Sequence, residues 1–432
     1  MINIGIIGFG TVGTGTAKIL VQNRKLLRER TGVDINLRRI ADLDIKRDRG
    51  LKLPKGVLTN NTDSLISDPD IHIVVELIGG TTIAKDIMLK AIRNGKHVVT
   101  ANKALLATHG KEIFRAAEKA NVQVGFEASV AGGIPIIKII SEGLVANRIK
   151  SIYGIINGTT NYILSKMSDE NAEFSDVLKE AQKLGYAEAD PTYDIEGIDS
   201  AHKISILASL AYGTQFSLKD VYREGISKIS SMDIEFAREL GYKLKLLAIA
   251  KEKNGKVELR VHPTMVPEEF LLSKVDGVFN AVYVDGDAVG STLYYGRGAG
   301  DMPTGSAVVS DIVDISCNMV NKTIGRNPLF SRSEKGKNLL KMDDVRSMYF
   351  FRFSAIDKPG VLSRISGILG KYNISIASVI QKDRKEGKAV PLVVLTHAAR
   401  EKDVRLAVGE INKLHIVTDK TVVIRVEGRE LH

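Results

Sequence analysis

MINIGIIGFGTVGTG, residues 1–15, opens with a short β-branched run at residues 3–7, which ends in Gly8-Phe9-Gly10-Thr11-Val12-Gly13. A helical stretch is expected from residue 14 to about residue 30. In the setting of strand, G-x-G-x-x-G and helix, this motif means dinucleotide binding: Gly8 and Gly10 give the tight turn and close approach to a pyrophosphate, and Gly13 lets helix and strand pack. No Gly-Lys-Ser/Thr follows, which excludes a Walker-type phosphate loop. Behind the motif, residues 35–41 read as a strand ending at Asp42 and residues 72–78 as another ending in Gly79-Gly80. Residues 83–93 read as a helix, and residues 95–100 as a strand running through Thr100 into Asn102 and Lys103. This alternation implies an α/β fold with a Rossmann-type parallel sheet, whose ligands sit at the carboxyl ends of the strands. Lys103 is therefore expected at the rim of the cofactor crevice.

The cofactor itself stays open between NAD and NADP. Asp42 suits the ribose 2′-hydroxyl of NAD, whereas Arg38, Arg39, Lys46 and Arg47 around it suit a 2′-phosphate. Asp42 also comes about thirty residues after Gly13, later than the usual spacing of about 20. NADP leads, with some NAD use expected.

The 432 residues suffice for two or three domains, and 44% hydrophobic with 26% charged residues and no long apolar run reads as a soluble globular chain. The start lacks a charged n-region and a small-residue cleavage site, so the cytoplasm is the expected location and no membrane partner is foreseen. A net charge of +10 raises the question of nucleic acid. However, the basic residues are scattered among acids, as in KRDRG, KEKNGK and QKDRKEGK, with no aromatic-interleaved stripe. A solvated surface biased toward anionic ligands is the reading, without nucleic acid. No HExxH or Cys/His ligand spacing points to zinc. The single cysteine, Cys317 in DIVDISCNMV, reads as a filler rather than a nucleophile, so the thiohemiacetal route from aldehyde to acid lacks its thiolate.

Residues 181–203, AQKLGYAEADPTYDIEGIDSAHK, gather the chemistry. A helix stops at Gly185, a loop carries Glu188, Asp190 and Asp194, and a second helix begins near Asp199 with Lys203 one turn on and on the same face. An exposed pair at this spacing would be only surface electrostatics. The following ISILASLAY is largely apolar on all sides, which buries the helix and sets Lys203 near its wet mouth. Desolvation there favours the neutral amine and Asp199 the charged one, which suits Lys203 to moving a proton. Elsewhere, Gly300 and Thr304 open a helix expected at residues 306–321, which reads either as a place where their amides meet cofactor or as a turn with no ligand. Adjacent Gly132 and Gly133 read either as a turn needing positive φ or, with Glu127, as an oxygen cage for a monovalent cation.

Ala181, Gly185, Tyr186, Ala187, Asp190, Pro191, Asp194, Gly197, Asp199 and Lys203 resemble the signature of homoserine dehydrogenases. The VTANK segment ending at Lys103 and the NGTTN run at residues 157–161 extend the resemblance, and no kinase-like segment precedes it. It implies NAD(P)-dependent interconversion of L-homoserine and L-aspartate 4-semialdehyde, in threonine, methionine and isoleucine biosynthesis. Lys203 would move the hydroxyl proton, with Lys103 beside nicotinamide and substrate. Asp199, Glu188, Asp194, Asn157, Gly158 and Thr159 would hold the amino acid. The cofactor set is then Gly8, Phe9, Gly10, Thr11, Val12, Gly13, Arg39, Thr100, Lys103, Gly185 and Gly300. A structural sodium or potassium ion would sit at Glu127 and the carbonyls of Val130, Gly132 and Ile134. Residues 1–130 would form the dinucleotide-binding domain, with a return helix at about 304–321, and residues 131–303 an α+β substrate-binding, catalytic and dimerisation domain.

Residues 322–347 read as a linker, and residues 348–427 as a βαββαβ, ferredoxin-like unit. Its DKPGVLSRISGILGKYNISI resembles the ACT domain. That implies side-by-side pairing into a homodimer or homotetramer. It also implies an effector, threonine, at Asp357, Pro359, Gly360, Val361, Leu362, Asn373 and Ile374. Two other classes compete: a silent amino-acid sensor, and another amino-acid or semialdehyde oxidoreductase on the same scaffold.

Overall fold

Strands β1 (Ile2–Ile7), β2 (Ile35–Ala41), β3 (Leu58–Thr59), β4 (Ile73–Glu76), β5 (His97–Thr100) and β6 (Val124–Gly125) run in the order β3-β2-β1-β4-β5-β6 in this computed structural model. Every neighbouring pair is parallel. This is the doubly wound order expected of a Rossmann-type fold, and the direction of winding reverses between β1 and β4, which places a crevice beyond their carboxyl ends. Residues 1–323, 337–382 and 388–428 are described. They divide into two compact units, Met1–Gly158 with Asp199–Val221 and Val278–Lys337, and Thr159–Ile198 with Tyr222–Gly277 and Asn338–His432.

In the first unit the glycine loop is shaped by close approach. Gly8 has φ +101°, and a Cβ on Gly13 would lie 2.1 Å from the Gly8 carbonyl oxygen. The helix begins at once, Thr11–Gln22, and breaks at Asn23 before a second helix, Arg24–Thr31. One helix over residues 14–30 is thus corrected to two. The second has no buried residue: RKLLRERT is mostly charged, and its Leu27 packs only partly buried against the sheet core. A Cβ on Gly15 would lie 2.1 Å from the Asp301 carbonyl oxygen, so the helix Asp301–Val320 lies against Thr11–Gln22 almost backbone to backbone. It starts five residues before the expected 306 and carries Ala307, Val308, Ile312 and Ile315 into the core with Ile4, Ile6, Val75 and Val99. Where it crosses β6, a Cβ on Gly125 would lie 2.6 Å from Asp311 Cβ, and Asp311 accepts the Glu127 N–H at 2.8 Å. Strand β6 therefore ends at Gly125. A short helix, Ile136–Lys138, follows and is continued by a wide turn at Ile139–Gly143. The unit also holds three antiparallel strands, Ile149–Ile155, Phe279–Gly286 and Gly290–Arg297.

In the second unit, Tyr242–Lys253 and Lys256–Pro267 pair along their whole length around Asn254 and Gly255, both at positive φ. The lysines of YKLKLLAIAKEK hide the first of these strands from a reading by period. The C-terminal part has the expected βαββαβ order: Arg346–Ile356, Val361–Lys371, Ile376–Ile380, Ala389–Thr396, Glu401–Ile411 and Val422–Val426. Tyr349, Phe351, Phe353, Ile365, Leu369, Val394 and Ile411 form its core. It is not strung on a free linker. Asn338–Leu339 pairs with Lys256–Pro267, and so does Val422–Val426 through Thr264↔Arg425. Of the expected linker, residues 324–336 lie outside the described residues. Ion pairs of buried arginines reinforce the junction: Arg260 to Glu427 at 2.6 Å, and Arg425 to Glu401 and the more open Glu224 at 2.5 and 2.9 Å.

Candidate active site

Asp199 opens the helix Ile198–Tyr212, whose second turn is buried on every side, so its carboxylate has little water around it. Three groups converge on it within the first unit. Lys103 Nζ lies 2.6 Å from Oδ1 and Lys203 Nζ 2.7 Å from Oδ2, while Asn157 Nδ2 donates to Oδ2 at 2.9 Å. Lys203 Nζ also donates to the Ile156 carbonyl at 2.6 Å. Burial alone would push the Asp199 carboxyl up, but the two ammonium groups override it and hold it well below the usual carboxylate range. The two lysines are not equivalent. Lys203 is 8% exposed, deeper than the wet mouth expected for it, whereas the Lys103 side chain is 32% exposed. One carboxylate thus holds an inner and an outer amine beside a buried amide.

The glycine loop lies at the carboxyl end of β1. A Cβ on Gly10 would meet nothing within 4 Å, and the helix that Gly10 caps has no side-chain cap. Open space in front of first-turn N–H groups fits a dinucleotide pyrophosphate. Asp42 Oδ2 accepts from the Phe9 N–H at 2.5 Å. Arg49, absent from the sequence reading, donates Nε to the Phe9 carbonyl at 2.6 Å and Nη2 to Asp42 Oδ1 at 3.2 Å, with its guanidinium 4.7 Å from the Phe9 ring centre. Nothing in the polar run around residue 49 marked it out. Arg39, on β2, lies 3.7 Å from Asp68. Thr100 ends β5 and donates to Glu76 at 2.7 Å. Glu76 was also missed, although an acid closing the run IVVE was a usable signal.

The remaining expected residues fall as follows. Gly300, at φ +124°, caps Asp301–Val320, and Thr304 sits inside that helix. Glu188, Asp194, Thr159 and Gly185 belong to the second unit. There Gly185, at φ +76°, follows the helix Phe174–Lys183, Thr159 Oγ1 donates to the Tyr186 carbonyl at 2.7 Å, and Asp194 lies in a one-turn helix, Thr192–Ile195, inside the expected loop.

At Glu127 both carboxylate oxygens cap the short helix, accepting from the Ile137 and Lys138 N–H groups at 2.8 and 2.9 Å. Burial raises this carboxyl to about 7 against those two bonds. Gly132 and Gly133 do not take positive φ; Ala131 does, at +52°. The glycines serve close approach instead, since a Cβ on either would come within 2.8 Å of the Gly298 or Arg297 carbonyl oxygen. The Val130 carbonyl lies in a fully buried residue and accepts no hydrogen bond among the described residues, which fits a cation held by carbonyls. No group of three or more His, Cys, Asp or Glu able to hold a metal ion occurs among the described residues, and no helix there is long and apolar enough to cross a membrane.

In the C-terminal part, Asp357, Pro359 and Gly360 precede the helix Val361–Lys371, which begins with Val361 and Leu362. Asn373, at φ +56°, and Ile374 follow it. The helix separates the two groups by about 16 Å at 1.5 Å per residue, so one small molecule within one chain reaches only one group.

A doubly wound sheet with a glycine loop at its crevice, and two lysines on one buried carboxylate, fits a dinucleotide-dependent oxidoreductase. Comparison with known proteins makes this specific. Residues 8–127 match the family described as homoserine dehydrogenase, NAD binding domain; residues 135–313 match homoserine dehydrogenase, and residues 349–415 match the ACT domain. The homoserine dehydrogenase of Neisseria gonorrhoeae is 50% identical over 430 residues, 99% of each chain. The crystal structure of a homoserine dehydrogenase from Thiobacillus denitrificans is 48% identical with a TM-score of 0.93, covering 99% of this chain and 98% of that one. A hyperthermophilic archaeal homoserine dehydrogenase in complex with NADPH is 29% identical, with a TM-score of 0.63, over 73% of this chain and 97% of that one. The chain belongs to the homoserine dehydrogenase family.

Proposed function

We propose that the chain oxidises L-homoserine to L-aspartate 4-semialdehyde and runs the reverse reduction, with Lys203 as the proton-moving group. The observation that carries this reading is the Asp199 carboxylate shared between buried Lys203 and half-open Lys103. A dinucleotide held at the glycine loop would supply the hydride acceptor, and in reverse the donor, for substrate C4. Lys203, as its neutral amine, takes the hydroxyl proton in oxidation; its ammonium returns that proton in reduction. Lys103 stands where an ammonium stabilises negative charge developing on the substrate oxygen, which favours the transition state over the ground state. Asp199, itself held by Asn157, fixes both amines, and Asp199, Asn157 and Gly158 offer polar groups to the substrate.

For the cofactor, Gly8 to Gly13 and Thr100 would take the dinucleotide, with NADP preferred and NAD accepted. Arg39 supports the preference, and the archaeal relative bound to NADPH agrees with it. Glu127 and the carbonyls of Val130, Gly132 and Ile134 would hold a structural sodium or potassium ion. Threonine is the proposed feedback effector, bound where pairing of two C-terminal units brings the Asp357–Gly360 turn of one chain to the Asn373 side of another, in a homodimer or homotetramer. Steady-state oxidation of homoserine with NAD and NADP in parallel, with and without threonine, tests the reading. No turnover with either dinucleotide would overturn the activity; flat threonine response and unchanged heat stability in threonine would overturn the regulation.

A further inference from the structure

Glu76 ends β4 with 1% of its surface exposed, and every hydrogen bond around it runs in one direction. Its Oε1 accepts from the Ile78 and Gly79 N–H groups at 2.9 and 3.2 Å, and its Oε2 accepts the Thr100 hydroxyl at 2.7 Å. Thr100 Oγ1, its proton committed to Glu76, accepts from the Asn102 N–H at 3.0 Å. Asn102 then does two things: Nδ2 donates to the Gly80 carbonyl at 2.6 Å, and Oδ1 accepts the Leu105 N–H at 3.0 Å, capping the helix Lys103–Ala120. The ring closes through the Gly79-Gly80 turn, where both residues take φ above +70°. Burial pushes the Glu76 carboxyl above its ordinary value, while the bonds from Thr100, Ile78 and Gly79 oppose that.

Lys103 is the first residue of the helix that Asn102 caps, and its Nζ is the group 2.6 Å from Asp199. An ionised carboxylate accepts only, so it fixes the sense of each bond in the ring. A glutamine would present N–H₂ to one of these donors and reverse or break that bond.

We propose that Glu76 is a positioning residue: its carboxylate, acting through Thr100 and Asn102, fixes the start of the helix that aims Lys103 at Asp199. This rests on the roles given to Lys103 and Asp199 above.

The test is a double-variant cycle of Glu76→Gln and Lys103→Met on the full chain with saturating dinucleotide. It reads kcat for homoserine oxidation, the thermal midpoint, and the rate at which an amine reagent modifies Lys103, followed by peptide mass spectrometry. Glu76→Gln is expected to lower kcat about tenfold, since a misplacement of about 1 Å can cost about a hundredfold and a smaller one correspondingly less. It is also expected to speed modification of Lys103 several-fold and to add no further loss in the Lys103→Met background. Wild-type kcat, a loss that multiplies with Lys103→Met, or an unchanged modification rate would overturn the proposal. Should Glu76→Gln fail to fold, Thr100→Val cuts the ring one bond further on and is read in the same cycle. A wild-type chain that does not oxidise homoserine sinks the functional reading instead, and the modification rate then decides the positioning role alone.

Discussion

Asp199→Asn keeps shape and removes one charge, and its consequence follows from the geometry. Lys103 and Lys203 straddle the two carboxylate oxygens at 2.6 and 2.7 Å. Their ammonium groups are therefore on the order of 5 Å apart, where two unit charges at an effective dielectric near 20 repel by about 3 kcal/mol. Breaking a buried pair costs about 3–5 kcal/mol, and the partial exposure of Lys103 places this case at the lower end. In the wild type the Asp199 carboxyl is held well below its ordinary range. Its contribution is thus fully present above about pH 4 and is lost only as pH falls through the depressed value. In the variant the penalty shrinks at alkaline pH, as an ammonium gives up its proton. Because a chain of several domains need not unfold in one step, the assay is hydrogen exchange of amides in the helix Ile198–Tyr212 between pH 6 and pH 10. Asp199→Asn should lose about 3 kcal/mol of protection near pH 7. Adding Lys203→Met should restore most of it while turnover stays lost. Unchanged protection in the single variant, or no recovery in the double, would refute the account.

Lys203→Met should abolish turnover in both directions while leaving dinucleotide affinity within about twofold, as expected for a group acting only in the chemical step; retained turnover removes Lys203 from the mechanism. Asp42→Ala takes a carboxylate away from the Phe9 loop and frees its Arg49 partner, so the ratio of kcat/KM for NADP over NAD should rise about tenfold, the equivalent of about 1.4 kcal/mol. An unmoved ratio would leave Asp42 with a role in loop shape alone. Burial, then Asp314, raises the Cys317 thiol, so iodoacetamide at pH 7 should react slowly and leave turnover intact; inactivation in step with alkylation would contradict that.

The sequence by itself determined the nucleotide-binding sheet, the family and the Asp199/Lys203 pair. Each rests on local spacing: glycines at fixed offsets after an apolar strand, one helical turn between acid and amine, and a run of βαββαβ signals. Only the tertiary structure decided that Lys103, 96 residues away in the chain, shares the Asp199 carboxylate, because that contact depends on how a strand end and a helix start are packed. Arg49 against Phe9, the Glu76 ring, and the ion pairs tying Arg425 to Glu224 and Glu401 are of the same kind. A polar residue in sequence carries no sign of whether it will be left in water or buried with a partner, and desolvation, which makes such groups matter, exists only once the chain has closed around them.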